Sequence, residues 1–307
     1  MKNKYKILLI GYSNIARKRF INTFIKSKIP FCVASKSFKG KIKDTYKQFN
    51  DYNKALKQSG ANIVYLSLPN SMHFYWSKRI LNLGFHLIVD KPISTKIGEL
   101  NQLIKIARKK KLLLTEATFF NYHQQFEFLK KFVGKLNNIE QVYANFTIPM
   151  PEKDTLLLSK KFHGGALMDM GPYAAAINRL LFNENLKEKK VIIKKNTEKL
   201  ITSFDIFLKY ETKIFNGSFK FGEEYKNSLL IYTNKGCIEI NRVFSPPEDI
   251  KLRIDISKKN QSKIIEIKQD NCFENFLLEV IKNSKKGKYA FYYDRMIKDE
   301  NFRLKLI

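Results

Sequence analysis

The 307-residue sequence predicts an α/β domain on a parallel sheet, then an α+β domain with a large, mostly antiparallel sheet. Three observations carry that expectation. Short apolar runs alternate with helix-spaced segments as far as Thr118. A glycine turn, Gly11 to Ala16, joins the first strand to the first helix. From Val191 to Lys268 strand follows strand across short turns. The expected division is residues 1–118, a dinucleotide-binding domain, and 119–307, a substrate and oligomerisation domain.

Tyr5 to Ile10 reads as a strand, Ile15 to Ser27 as a helix and Phe31 to Ala34 as a second strand. This is a βαβ opening. Asn62 to Leu68 is a buried strand ended by Pro69-Asn70, and Phe74 to Leu83 is an amphipathic helix with Gly84 at its C-cap. Phe85 to Val89 is strand, stopped by Pro92; Ile97 to Lys109 is helix and Leu112 to Glu116 strand. Gln141 to Ile148 then reads as strand and Asp169 to Leu181 as helix. Seven strand-like runs follow, with Asn234-Lys235-Gly236 as a hairpin turn among them. Phe273 to Asn283 is a closing helix, and the C-terminal segment is weakly helical.

The chain carries 57 Lys and Arg against 28 Asp and Glu, a formal charge of +29. Such a surface attracts nucleic acid, anionic lipid or phosphorylated small molecules. The lysines are spread throughout and arginine is scarce beside them, which reads as composition rather than as a nucleic-acid footprint. Arg108-Lys109-Lys110-Lys111 ends a predicted helix, where the helix dipole favours cations. Lys187-Glu188-Lys189-Lys190 reads as a loop. No nucleic-acid partner is expected. No run approaches the roughly 20 apolar residues of a membrane span, and Ile7 to Ile10 is too short for a secretory core. Cys32, Cys237 and Cys272 form neither a metal spacing nor a disulfide framework, so no metal and a cytoplasmic location are expected.

The chemistry starts at Gly11-Tyr12-Ser13-Asn14-Ile15-Ala16, a variant of the G-x-G-x-x-G fingerprint. Gly11 makes the tight turn, Ser13 stands where a second glycine is usual, and Ala16 lets helix pack on strand. A phosphate suits the helix N-terminus that follows. At the end of the second strand an NAD site expects Asp or Glu. Ser35-Lys36-Ser37 stands there instead, a cation between two hydroxyls that suits a 2′-phosphate. NADP(H) is therefore expected over NAD(H).

Five stretches together resemble the glucose–fructose oxidoreductase / inositol dehydrogenase (Gfo/Idh/MocA) family: the glycine turn, Leu68-Pro69-Asn70 with His73, Asp90-Lys91-Pro92, Glu116, and Gly164 to Tyr173. The resemblance implies a Rossmann domain followed by an antiparallel-sheet domain, with the nicotinamide between them. It implies oxidation or reduction of a carbon in a sugar, cyclitol or sugar nucleotide. It adds Leu68, Pro69, Asn70, His73 and Glu116 to the cofactor contacts. It assigns Lys91 to substrate oxygen and nicotinamide ribose, and a catalytic role to Asp169. The family's Glu-Lys-Pro is Asp90-Lys91-Pro92 here, and Tyr173 stands where many members have histidine. Phe219 to Asn227, Gly236 and Asn241 to Pro247 look like the subset acting as 3-ketoreductases on nucleotide-linked deoxysugars, which ranks such a substrate above a free sugar.

Asp169 and Tyr173 lie four apart, on one face of a helix. Reduction of a ketone leaves an alkoxide that needs a proton. A phenol, with a reference pKa of about 10, is a poor acid unless a cation such as Lys91 stabilises its phenolate. Tyr173 is thus the expected acid in reduction and base in oxidation, Lys91 the electrostatic stabiliser and Asp169 the orienter. The rival assignment makes Lys91 the proton donor. His123 and Asn178 are candidate substrate contacts, and each has an alternative as an ordinary polar residue of junction or helix. A different class of reading is a catalytically silent dinucleotide-binding sensor. A homodimer or homotetramer is expected from face-to-face association of the second sheet.

Overall fold

The computed structural model describes residues 5–38, 40–133, 139–259 and 261–307. They form two compact units, Met1–Thr118 with Phe276–Ile297, and Phe119–Asn275 with Lys298–Ile307.

The first unit is built on strands β1 (Ile7–Ile10), β2 (Phe31–Ala34), β3 (Lys47–Phe49), β4 (Ile63–Leu66), β5 (His86–Val89) and β6 (Leu114–Glu116). Their order is β3-β2-β1-β4-β5-β6, and every neighbouring pair is parallel. β1, β2 and β4 are buried at every residue, so their sequences ILLI, FCVA and IVYL are apolar without alternation. Strand order reverses between β1 and β4, and the crevice outside such a reversal is where doubly wound sheets take ligands. A helical stretch follows β1, first as a five-residue π-turn, Ala16–Phe20, then as α1 (Ile21–Lys26). Helices α2 (Tyr52–Gln58), α3 (Asn70–Asn82) and α4 (Glu99–Lys110) pack Leu56, Trp76, Ile80 and Leu103 against Val64, Leu66 and Leu87 of the sheet.

β3 and α2 escape the sequence reading because both are short and β3 is polar. Asp51 starts α2, its Oδ1 accepting from the Lys54 amide at 2.7 Å. Residues 276–297 differ from the expected unbroken second domain. Tyr293 and Met296 bury in the first unit's core, and the Tyr293 hydroxyl donates to the Leu112 carbonyl.

The second unit contains α5 (Gln124–Val133), α6 (Ala166–Leu181) and strands β7 (Ile139–Ile148), β8 (Leu186–Lys195), β9 (Ile201–Tyr210), β10 (Ile214–Phe221), β11 (Lys226–Thr233), β12 (Gly236–Asn241), β13 (Leu252–Lys258) and β14 (Gln261–Ile267). The order is β14-β13-β12-β11-β7-β10-β9-β8, antiparallel throughout except for β7 with β10. β10 buries alternate residues, and its Phe215 and Phe219 share a core with Ala174 and Ile177 of α6. The run Lys187 to Lys190 is not the expected loop but part of edge strand β8. Leu186 to Lys190 are all exposed, so this half of β8 lacks the alternation that marks a strand, whereas Val191 and Ile193 pack against the core. Lysines on such an edge oppose pairing with another sheet. The run Arg108 to Lys111 does end α4. Among the described residues no helix is long and apolar enough to cross a membrane.

Candidate active site

At the end of β1, Gly11 has φ +97°, and a Cβ there would lie 2.0 Å from the Ser67 carbonyl oxygen. Glycine is what lets the end of β1 lie against the end of β4, leaving backbone open to a phosphate. The Gly11 amide donates to Ala34 at 2.9 Å, fixing the turn to β2 as well. Ser13 turns its hydroxyl back onto Ser67, 2.6 Å away, and accepts from the Ala16 amide at 3.1 Å. That inward rotation explains how serine is accommodated where the fingerprint has glycine. Tyr12 packs on Phe38 with ring centroids 4.4 Å apart, and Asn14 accepts from Arg17 at 2.6 Å. Ile15 is half-buried at the start of the helix. A glycine turn that a Cβ would fill, followed by a helix start, fits a dinucleotide pyrophosphate.

Ser35 is buried, its hydroxyl accepting from the Phe38 amide at 3.1 Å. Lys36 and Ser37 are exposed, and the Lys36 ammonium lies 5.1 Å from the centre of the Tyr52 ring. The cation at the end of β2 is thus steered by a neighbouring aromatic face while remaining open to an anion.

Beyond β4, Leu68, Pro69 and Asn70 lead into α3 and are partly exposed. His73 is fully buried, with Nδ1 2.8 Å from the Pro92 carbonyl and Nε2 2.7 Å from that of Leu68. Both ring nitrogens face carbonyl acceptors, of which a neutral imidazole donates to one, so His73 is wedged between the Leu68 loop and the Lys91 loop; the structure gives it no exposed edge for the cofactor contact expected of it. Burial lowers its pKa, against the pull of the Pro92 carbonyl, Asp90 and the Leu68 carbonyl. His73→Ala removes the hydrogen bond and leaves a cavity. The expected loss is about 2–4 kcal/mol in urea unfolding.

Glu116, buried at the end of β6, accepts from the Ile93 amide at 2.7 Å and so anchors the chain just after Lys91 and Pro92. The Lys91–Pro92 peptide is cis. The Asp90 carboxylate accepts from Tyr65 and from Ser67. Burial raises its pKa; the Ser67 and Tyr65 hydrogen bonds, then His73 and Lys91, oppose the rise. These residues meet because parallel strands β1, β4, β5 and β6 end on the same edge of one sheet. Tyr65 and Ser67 were missed from sequence. The available signal was register: β1 and β4 align Ile10 with Leu66, which sets Ser67 opposite Gly11.

In the second unit a Cβ on Gly164 would lie 2.4 Å from the Leu157 carbonyl, and Gly165 has φ +104°. The glycine pair lets the loop pass close to backbone and swing into α6. Asp169 sits in the first turn of α6, where a carboxylate is favoured, and Tyr173 follows one turn on. Both are partly exposed. The Tyr173 ring is surrounded by Phe120, Phe146 and Phe244, with centroids 5.0, 5.1 and 5.4 Å away. Such packing restricts the ring. His123 is buried; its Nδ1 accepts from the Gln125 amide at 3.2 Å, and burial lowers its pKa against the pull of Asp270. The Asn178 carbonyl oxygen accepts from Tyr210, whose phenol burial pushes up to about 12. Both candidate substrate contacts are therefore engaged within this unit.

Residues 5–118 match the oxidoreductase family with an NAD-binding Rossmann fold. A dTDP-3,4-didehydro-2,6-dideoxy-alpha-D-glucose 3-reductase of Streptomyces violaceoruber is 25% identical over 274 residues, 85% of this chain and 80% of its own. The enzyme of the same name in Actinomadura kijaniata is 24% identical, across 85% of this chain and 82% of its own. A 3-ketoreductase from Actinomadura kijaniata, solved with NADP and TDP-benzene, matches with a TM-score of 0.89 at 20% identity, covering 96% of this chain and 94% of its own. That enzyme has also been solved with a tyrosine changed to phenylalanine and, separately, with a lysine changed to alanine. The glycine turn and the lysine loop both lie within residues 5–118, the part of the chain that matches the Gfo/Idh/MocA oxidoreductase family.

Proposed function

We propose that this chain is an NADP(H)-dependent oxidoreductase acting at a ketone or secondary alcohol carbon of a nucleotide-linked sugar. The observation that carries the reading is Lys91 itself. Asp90, hydrogen-bonded by Tyr65 and Ser67, precedes it; Glu116 anchors the chain after it. The lysine loop follows β5, on the same sheet edge as the glycine turn after β1. The dTDP-sugar 3-reductases among the relatives support the substrate class.

The turn Gly11 to Ile15 would hold the pyrophosphate, Ser35 to Ser37 the 2′-phosphate, and Leu68 to Asn70 with Lys91 the nicotinamide ribose. Bound there, the cofactor would supply or accept a hydride at the sugar carbon. Lys91 stabilises negative charge on the substrate oxygen. Tyr173 gives its phenolic proton to that oxygen in reduction and takes it back in oxidation. Asp169, one helical turn before Tyr173, orients the phenol. Free thiols at Cys32, Cys237 and Cys272 fit a reducing, cytoplasmic setting. A homodimer or homotetramer completes the proposal, and sedimentation reads it.

The test is oxidation of NADPH and of NADH by the purified protein with dTDP-linked 3-ketosugars. Faster turnover with NADPH is expected. Lys36→Ala should raise the KM for NADPH about tenfold, the effect of one charge-assisted phosphate contact, and leave that for NADH nearly unchanged. Tight NADPH binding without turnover of any nucleotide-linked ketosugar would favour the silent sensor instead.

A further inference from the structure

The hydroxyls around Asp90 form a chain whose direction can be worked out. Ser67 donates its one hydroxyl hydrogen to Asp90 Oδ2 at 2.5 Å. Its contact with Ser13, at 2.6 Å, must then be one it accepts, so the Ser13 hydroxyl is the donor. Ser13 Oγ in turn accepts from the Ala16 amide at 3.1 Å. Hydrogen bonds thus run one way, from the helix start through Ser13 and Ser67 to the carboxylate beside Lys91. Tyr65, fully buried, donates to the other carboxylate oxygen and closes the far end.

Ser67 is 3% exposed and Tyr65 0%, so neither hydroxyl can exchange its partner for water. Removing one link leaves the next group buried and unpaired. The Ser13 hydroxyl hydrogen is also committed to Ser67, which leaves the turn's backbone to face a phosphate.

We propose that Ser67 is a positioning residue that couples the dinucleotide turn to the lysine loop: one hydrogen-bond chain sets both Ser13 and Asp90. The inference rests on the dinucleotide reading of the turn and adds a link between cofactor seating and placement of Lys91. It also gives the short Asp90 a reason. Its carboxylate stands within reach of Tyr65 and Ser67 together.

The experiment is a double-mutant cycle on the full chain, with NADPH affinity read by fluorescence titration. Ser13→Ala and Ser67→Ala are each expected to weaken NADPH about five- to tenfold, the effect of one lost hydrogen bond. The double variant should be no weaker than either single, because both cut the same chain. Tyr65→Phe removes the other donor to Asp90 together with the Tyr65 contact to Ser67, so kcat should fall about fivefold and NADPH affinity by less than in either serine variant. Additive losses in the cycle, or wild-type affinity and kcat beside a lowered melting temperature, would overturn the coupling and leave the enzyme assignment intact. Absence of NADPH binding by the unsubstituted protein would sink the dinucleotide reading itself. Should Ser67→Ala not fold, Ser67→Cys keeps the volume, weakens the donor and completes the same cycle.

Discussion

Lys91→Ala is expected to lower kcat by about 10²–10³, the loss seen when one preorganised donor to a developing oxyanion is removed. Tyr173→Phe is expected to lower it by about 10²–10⁴, the usual range for a general acid. NADPH should still bind both variants, less tightly in Lys91→Ala, which loses the proposed ribose contact, because Gly11, Ser35 and Lys36 are untouched. On the proposed mechanism the double variant should fall short of the product of the two losses. Steady-state kinetics with a dTDP-ketosugar and fluorescence titration of NADPH read both quantities. The two single variants also separate the rival acids. If Lys91 is the donor, Lys91→Ala abolishes the pH dependence of reduction and Tyr173→Phe costs little. If Tyr173 is the donor, the order reverses. Normal turnover in both would remove the proposed chemistry altogether.

Gly11→Ala carries the second large effect. Its Cβ would meet the Ser67 carbonyl oxygen at 2.0 Å and the Ser67 carbonyl carbon at 2.7 Å, and φ is +97°. Backbone must move in both β1 and β4, the two strands at the reversal of the sheet. A loss of about 3–5 kcal/mol in urea unfolding is expected, from strain in the turn plus displacement of a packed strand end. NADPH binding should be lost with it. Gly84→Ala is the control: φ is +90°, but nothing lies within 4 Å of the added carbon. It should cost about 1–2 kcal/mol from backbone strain alone and spare the cofactor site. Equal losses in the two variants would mean that the contact with Ser67 does not govern the turn.

The elements most legible in the sequence were those with one strong cause. β1, β2 and β4 are short, wholly apolar and bounded by turn residues, so burial on both faces could be read from the letters. The strand β10 was legible for a different reason, its strict alternation. β8 was legible only in part: Val191 to Ile193, where Val191 and Ile193 pack on the core, read as strand, whereas the exposed Leu186 to Lys190 owe their pairing to a neighbour's backbone. Residues 276–297 were not legible, because an apolar helix face does not name the core it will enter.

The candidate site divides along the same line. Sequence alone determined the chemistry available: the glycine turn, the cation after β2, Lys91 before a proline, and Asp169 one helical turn from Tyr173. Those are local patterns, set by spacing within a single element. Tertiary structure decided how several of them work. It turned Ser13 onto Ser67, closed His73 between two carbonyls and gave Asp90 its two hydroxyl donors. Each of these contacts joins residues 19 or more apart in the chain, or a side chain to a loop it does not belong to, and parallel strand register brings them together. The physical reason is that a hydrogen bond in a buried place is specified by where the neighbouring strand ends, which no single stretch of sequence contains.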